Sequence, residues 1–151
     1  MISRVDKDIL QQLLVTASKD GIQKIVVGAV IKRDKKFLLL ERVALDFLGG
    51  LIELPSGAVD QGEDLLSALG REVREETGLE LTSAQSYLGS FDYLSGSGKR
   101  ARQFNFLVET NLAEIKLNPQ EHRAFKFVSL DNPGFANLNI SEATREILRK
   151  A

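Results

Sequence analysis

The sequence predicts an α/β fold, a sandwich of helices on a mixed sheet. Three observations carry that prediction. Residues 24–31 (KIVVGAVI) form a β-rich run, apolar enough for a central strand. Residues 4–18 and about 64–77 instead repeat apolar side chains at helical spacing. Strand-like and helix-like runs alternate without repeats, low-complexity tracts or a linker, as one layered unit of strands and helices would require.

The elements follow in order. Val5, Ile9, Leu10, Leu13 and Leu14 give an amphipathic first helix, which Lys19-Asp20-Gly21 ends. After the 24–31 strand, Asp34-Lys35-Lys36 reads as a turn and 37–41 as its hairpin partner. A loop is expected over 42–50 and a short strand over 51–54. From about Asp64 to Thr77 the chain lacks proline and is rich in Leu, Ala, Glu and Arg, all good helix formers. Asp64 suits the positive end of the helix dipole, and Gly78 stands where a C-terminal glycine is expected. Leu65, Leu69 and Val73 make its apolar stripe. Strands are expected over 81–91, 100–110 and 125–130, and a closing helix over 141–150 with Ser141 as N-cap.

Length and composition set bounds. The 151 residues fit one domain, 1–151, with the helix of residues 1–20 appended at its start. Hydrophobic residues at 43% and charged residues at 27% are ordinary for a soluble globular chain. A net charge of −1 gives no general attraction to nucleic acid or to an anionic membrane. The chain has no cysteine, which excludes disulfides and thiolate metal sites and fits a reducing compartment. No apolar run approaches the ~20 residues of a membrane span. The first twelve residues, MISRVDKDILQQ, are too polar for a secretory signal, so the cytoplasm is the expected location.

The helix at 64–77 carries the chemistry. Glu72, Glu75 and Glu76 stand at i, i+3 and i+4, so their side chains are neighbours. Such a trio alone would read as a solvated acidic face. Here Glu63 lies just before the helix, and Gly57 precedes it in a loop that can expose a backbone carbonyl. Carboxylate and carbonyl oxygens are the hard ligands that Mg²⁺ or Mn²⁺ prefers. Arg71 can tie down one carboxylate and hold the others in position.

Residues 57–79, GAVDQGEDLLSALGREVREETGL, place Gly57, Glu63, Arg71, Glu72, Val73, Glu75, Glu76, Gly78 and Leu79 at fixed spacings. The pattern resembles the Nudix box, with no position missing. The resemblance implies a Nudix-type α/β/α sandwich with the box helix on one face of a mixed sheet. It also implies metal-dependent cleavage of a nucleoside diphosphate linked to a further group X. The implied metal ligands are the Gly57 carbonyl, Glu72, Glu75 and Glu76, with Glu63 in support and Arg71 orienting the cluster. The implied general base is Glu72 or Glu121, since members differ in which they use.

Segments outside the box resemble MutT-like members. Residues 52–57 (IELPSG) are similar to the approach strand and turn, with Ser56 where many members have a glycine. Glu53, before Leu-Pro, occurs both in nucleotide hydrolases and in ADP-ribose hydrolases of the family. In 118–130, Glu121 falls where a further carboxylate approaches the metals, and Phe127 where a tryptophan is common. Asn137 matches either a base-reading amide or a turn residue.

The SGSGK stretch at 95–99 departs from a Walker phosphate loop, because Arg100 follows the lysine and Tyr93 stands where the earlier glycine is needed. It reads as a mobile hairpin tip, from which Lys99, Arg100 and Arg102 could reach substrate phosphates. Phe91, Tyr93, Phe104 and Phe106 read first as core, with base stacking as the other role; Tyr93 is the one taken as a substrate contact. His122, the single histidine, reads as a solvent-facing loop residue.

The expected substrate is a nucleoside triphosphate, normal or modified, cleaved to monophosphate and pyrophosphate. The alternatives are ADP-ribose or a nucleotide sugar, and a non-catalytic nucleotide sensor. The ADP-ribose group usually carries a proline about 15 residues after the box, where Tyr93-Leu94-Ser95 stands here. The expected state is monomer or homodimer.

Overall fold

A computed structural model describes residues 2–44 and 48–151, and of Ile2 and Ser3 the backbone alone. Of the loop expected over 42–50, residues 45–47 lie outside the described residues. The elements are β1 (Ile2–Ser3), α1 (Lys7–Lys19), β2 (Lys24–Arg33), β3 (Lys36–Arg42), β4 (Ile52–Glu53), β5 (Ser56–Ala58), α2 (Leu65–Thr77), β6 (Leu81–Leu94), β7 (Arg100–Thr110), β8 (His122–Val128), a 3-10 helix (Pro133–Asn137) and α3 (Glu142–Arg149). The main path of the sheet is β1-β6-β7-β2-β3-β4, with β5 added on β2 and β8 on β3. Pairs β1–β6 and β2–β7 are parallel and the others antiparallel, so the sheet is mixed as expected.

Strand β2 is central and covered on both faces. Successive side chains of a strand point to opposite sides. Val27, Ala29 and Ile31 join Leu38 and Leu40 of β3 beneath Leu65, Ala68, Leu69 and Val73 of α2. Val30, Phe37 and Leu39 face the other way and meet Ile147 and Leu148 of α3. A strand buried on both sides has no solvent face to keep polar, which explains the unbroken apolar run. The result is the α/β/α sandwich. Helix α1, capped by the Asp6 side chain, buries Ala17 on the α2 side, and Leu10 and Leu13 pack against the same core. Among the described residues no helix is long and apolar enough to cross a membrane.

The opening that holds the site comes from a split in the sheet. β2 and β3 pair at Lys32↔Phe37 and Arg33↔Lys36, beside a turn in which Asp34 and Lys35 have φ of 50° and 66°. They then part. β5 takes the edge of β2 at Val26–Gly28, while β4 takes the edge of β3 at Leu40 and Glu41. Residues 52–58 thus cross the gap from one strand to the other, and Ala29 N–H fixes the crossing by donating to the Pro55 carbonyl at 2.9 Å.

The hairpin, α2, β7 and α3 lie where the sequence placed them, with Asp64 and Ser141 as caps and Gly78 at φ 74°. The 95–99 stretch is the turn joining β6 to β7. The differences have physical causes. β8 starts at His122, because pairing with Arg42 of β3 extends it beyond its apolar part. β1 and β5 are two and three residues long, too short for a period-2 pattern to register. The 3-10 helix was not anticipated; Asn132 caps it, accepting from Gly134 N–H, ahead of Pro133 at its first turn.

Candidate functional site

Helix α2 delivers its glutamates to the gap by its register. Leu65, Leu69 and Val73 are buried against the sheet. Glu72 and Glu76 flank that stripe and reach the crossing segment, whereas Glu75 turns outward and is about half exposed. The Ser56 N–H donates to Glu76 Oε1 at 2.8 Å. Glu72 lies directly over Gly57, where a β-carbon would collide with its carboxylate. Close approach of the Glu72 carboxylate therefore requires glycine at position 57.

Arg71 organises the acidic set. Its Nε and Nη2 donate to the two oxygens of Glu63, both at 2.8 Å. Nη1 donates to Glu72 Oε1 at 2.8 Å and reaches Glu75 at 3.3 Å, and Nη2 also donates to the Ala58 carbonyl at 2.9 Å. A planar guanidinium can satisfy such a fork where an ammonium cannot. The Arg71 hydrogen bonds, with one from Asp60 N–H, hold the Glu63 carboxyl down at about 2. Arg71 itself is held well above its ordinary value by Glu63 first.

The two glutamates in the gap go the other way. Burial pushes Glu76 up to about 9, with Glu121, Glu72 and Glu53 adding repulsion against the Ser56 hydrogen bond. Burial likewise raises Glu72, offset in part by Arg71. Crowded, desolvated carboxylates of this kind call for positive charge. The oxygen donors and the glycine-sized approach suit a hard divalent cation such as Mg²⁺ or Mn²⁺.

These groups sit in a cleft of about 590 Å³. Its acidic end holds Glu53, Glu72, Glu76 and Glu121, and its other walls include Phe91, Tyr93, Gln103 and Thr144. The rings of Phe91 and Tyr93 lie 6.1 Å apart. Phe104 and Phe106 are core residues, whereas Phe91 and Tyr93 line the cleft.

Two anticipated contacts lie elsewhere. Arg102 is held by Asp92 at 2.7 Å and Asp20 at 2.9 Å, tying β6 to the end of α1, and it lines a separate groove beside α1. Asn137 is exposed on the 3-10 helix and does not line the cleft. Arg145 fixes that segment by donating to the carbonyls of Phe135, Leu138 and Ile140.

His122 is the main correction. It is not solvent-facing but 2% exposed, because β8 begins with it and turns the ring into the cleft. Its Nε2 lies 2.9 Å from Glu53 Oε2, the oxygen that also accepts from Arg42 Nη1 at 3.1 Å. Only its place beside Glu121 hinted at this. Gln103 was missed as well; Gly28 leaves room for it, since a β-carbon there would collide with the amides of Gln103 and Asn105.

Comparison with known proteins bears on the family and the fold. The family model of the NUDIX domain matches residues 22–151. The chain is 47% identical over 57 residues to a CTP pyrophosphohydrolase of Escherichia coli, covering 38% of this chain and 42% of that one. It is 39% identical over 67 residues to an ADP-ribose pyrophosphatase of Methanocaldococcus jannaschii, covering 44% and 38%. The matches thus span less than half the length of either enzyme. An RNA pyrophosphohydrolase of Pelagibacter ubique is 30% identical over 118 residues, 68% of this chain and 73% of that one. Among solved structures, a MutT protein from Methanosarcina mazei superposes with a TM-score of 0.74 at 27% identity, covering 87% of this chain and 94% of that chain. With nearly the whole described sheet matched in sequence and the architecture shared, the chain belongs to the Nudix family.

Proposed function

We propose that the protein hydrolyses a nucleoside triphosphate, normal or modified, to nucleoside monophosphate and pyrophosphate. The observation that carries this reading is the Arg71-ordered carboxylate set facing a nucleotide-sized cleft, with Glu72 seated over Gly57. A metal-dependent phosphoric-anhydride hydrolase needs that combination of hard oxygen donors and a confined cavity. The CTP pyrophosphohydrolase among its relatives supports a triphosphate substrate.

Bound Mg²⁺ or Mn²⁺ would polarise the phosphate oxygens and lower the pKa of water at the site. The Gly57 carbonyl, Glu72 and Glu76 would hold it, with Glu75 at the rim. Glu72 takes the proton of the attacking water as the new P–O bond forms, and the bridging oxygen leaves with the electron pair. Burial raises the proton affinity of Glu72 above that of an ordinary carboxylate, the direction a general base needs. Glu121, in the same cleft, is the other base that fits. Arg71 keeps the carboxylates in register, and Glu63 anchors Arg71. Phe91 and Tyr93 offer a surface for the base. The absence of cysteine fits a reducing compartment such as the cytoplasm.

A second reading, ADP-ribose or nucleotide-sugar cleavage, draws on the ADP-ribose pyrophosphatase relative. One experiment separates the two: product analysis with Mg²⁺ over a panel of nucleoside triphosphates and nucleotide sugars. Pyrophosphate with monophosphate from a triphosphate supports the first; cleavage confined to ADP-ribose replaces it with the second. In the same assay Glu72→Gln should lower turnover at least ~100-fold. Wild-type turnover at saturating Mg²⁺ would remove Glu72 from the mechanism.

A further inference from the structure

We infer that His122 is a nitrogen ligand of the metal centre, oriented by Glu53, so that the site binds its ion through mixed oxygen and nitrogen donors. The inference rests on the reading that the cleft binds a divalent cation, and adds a ligand that lies outside the glutamate helix.

The geometry begins with Glu53. A carboxylate oxygen only accepts, so the 2.9 Å contact with His122 Nε2 puts the ring proton on Nε2. Arg42 donates to the same oxygen at 3.1 Å and holds the carboxylate in place. The available lone pair then belongs to Nδ1. That atom is buried and has no hydrogen-bond partner among the described residues. Buried polar atoms rarely stay unpaired, so an orphan beside a carboxylate cluster demands an account.

The neighbours supply it. One ring nitrogen of His122 and one carboxylate oxygen each of Glu76 and Glu121 lie within 4.8 Å of one another. Two ligands about 2.1 Å from one ion stand at most roughly 4.2 Å apart, so side-chain shifts of under an ångström would let one ion touch all three. A ligating histidine usually gives its other N–H to a carboxylate, which fixes the tautomer and sharpens the donor. Glu53 and His122 have that relationship already. If His122 served only to brace Glu53 and Arg42, its ring would need no place within reach of Glu76 and Glu121. An imidazole nitrogen shifts preference from Mg²⁺ toward Mn²⁺ and later transition ions.

Since His122 is the single histidine, isotopic labelling can assign it without a mutation. The untagged full chain is loaded with Mn²⁺, with natural-abundance or ¹⁵N-labelled histidine, and read by pulsed electron paramagnetic resonance. The expected result is a directly coordinated ¹⁴N coupling that becomes a ¹⁵N coupling on labelling. His122→Gln should abolish it, and Glu53→Gln should weaken Mn²⁺ affinity about 10- to 100-fold. Bound Mn²⁺ without histidine coupling overturns the inference and leaves the proposed hydrolase standing. No bound Mn²⁺ at millimolar concentration overturns both.

Discussion

Gly57 and Glu72 occupy the same space to within a methyl group: a β-carbon on Gly57 would fall on the Glu72 carboxylate, against Cδ and both oxygens. Gly57→Ala should therefore displace the carboxylate without unfolding the chain. Displacement on the ångström scale costs on the order of 100-fold in rate. Turnover of Gly57→Ala with Mg²⁺ checks this, alongside an unchanged circular dichroism spectrum. Full activity would mean that Glu72 can move aside at no cost to the chemistry.

Arg71→Lys keeps the charge but loses the fork. A lysine cannot grip both oxygens of Glu63 while also meeting Glu72 and the Ala58 carbonyl. The expected loss is about 10- to 100-fold in metal affinity, the usual worth of a group that positions metal ligands. Calorimetric titration with Mn²⁺ reads it directly, and a wild-type dissociation constant would show the fork to be dispensable.

The acid–base behaviour of the metal-free protein has a definite sign. Burial, then repulsion from Glu121, Glu72 and Glu53, raises Glu76 from its ordinary 4.5 to about 9. Between those values the folded chain binds the proton that the unfolded chain releases, so this group's stabilisation is complete below 4.5 and is lost as pH rises toward 9. Glu63 works oppositely: held at about 2, it stabilises above 4.5 and loses that effect as pH falls toward 2. In chelator, the melting temperature should fall from pH 5.5 to 8.5, and Mg²⁺ should raise it more at pH 8.5. A rise over that interval in chelator would contradict the assignment.

Tyr93→Ala should raise KM for a triphosphate substrate about tenfold with little change in kcat, since stacking contributes about 1–3 kcal/mol per base. An unchanged KM across the substrate panel would remove Tyr93 from the base-binding wall.

The β2–β3 turn invites a stabilising change. Lys35 holds φ at 66° beside Asp34 at 50°, a turn that favours glycine at its second position. Lys35→Gly should gain roughly 0.5 kcal/mol after the unfolded-state entropy of glycine is counted, or about 1–2 °C in Tm. Differential scanning calorimetry is sensitive enough to see it, and a lower Tm would show that Lys35 makes compensating contacts.

What could be read from the sequence followed from how locally each feature is encoded. The α2 stripe, its caps and the Gly57-to-Glu76 spacing lie on one short stretch, so periodicity and spacing exposed them. The Glu53–His122 contact joins residues 69 positions apart, and no spacing rule reaches that far. His122 was misread for that reason: its neighbours in sequence are polar, while its neighbours in space come from β4 and α2. Arg102 reads as a phosphate contact because positive charge near a nucleotide site suggests phosphate, while the fold pairs it with Asp92 and Asp20, which lie 10 and 82 positions away in sequence. Asn137 matched a pattern whose side chain, here, stays at the surface.

The partners of Arg71 have a consequence for how the molecule comes into being. Ala58, Asp60, Glu63, Glu72 and Glu75 all lie between residues 58 and 75. Closing loops this short costs little chain entropy, whereas joining β2 to β7 brings together residues some 77 apart, as at Lys24 and Ala101. Contacts of short range form early and fast. The charged cage around Arg71 can thus assemble as its helix does, and wait for the slower strands to bring it a cleft.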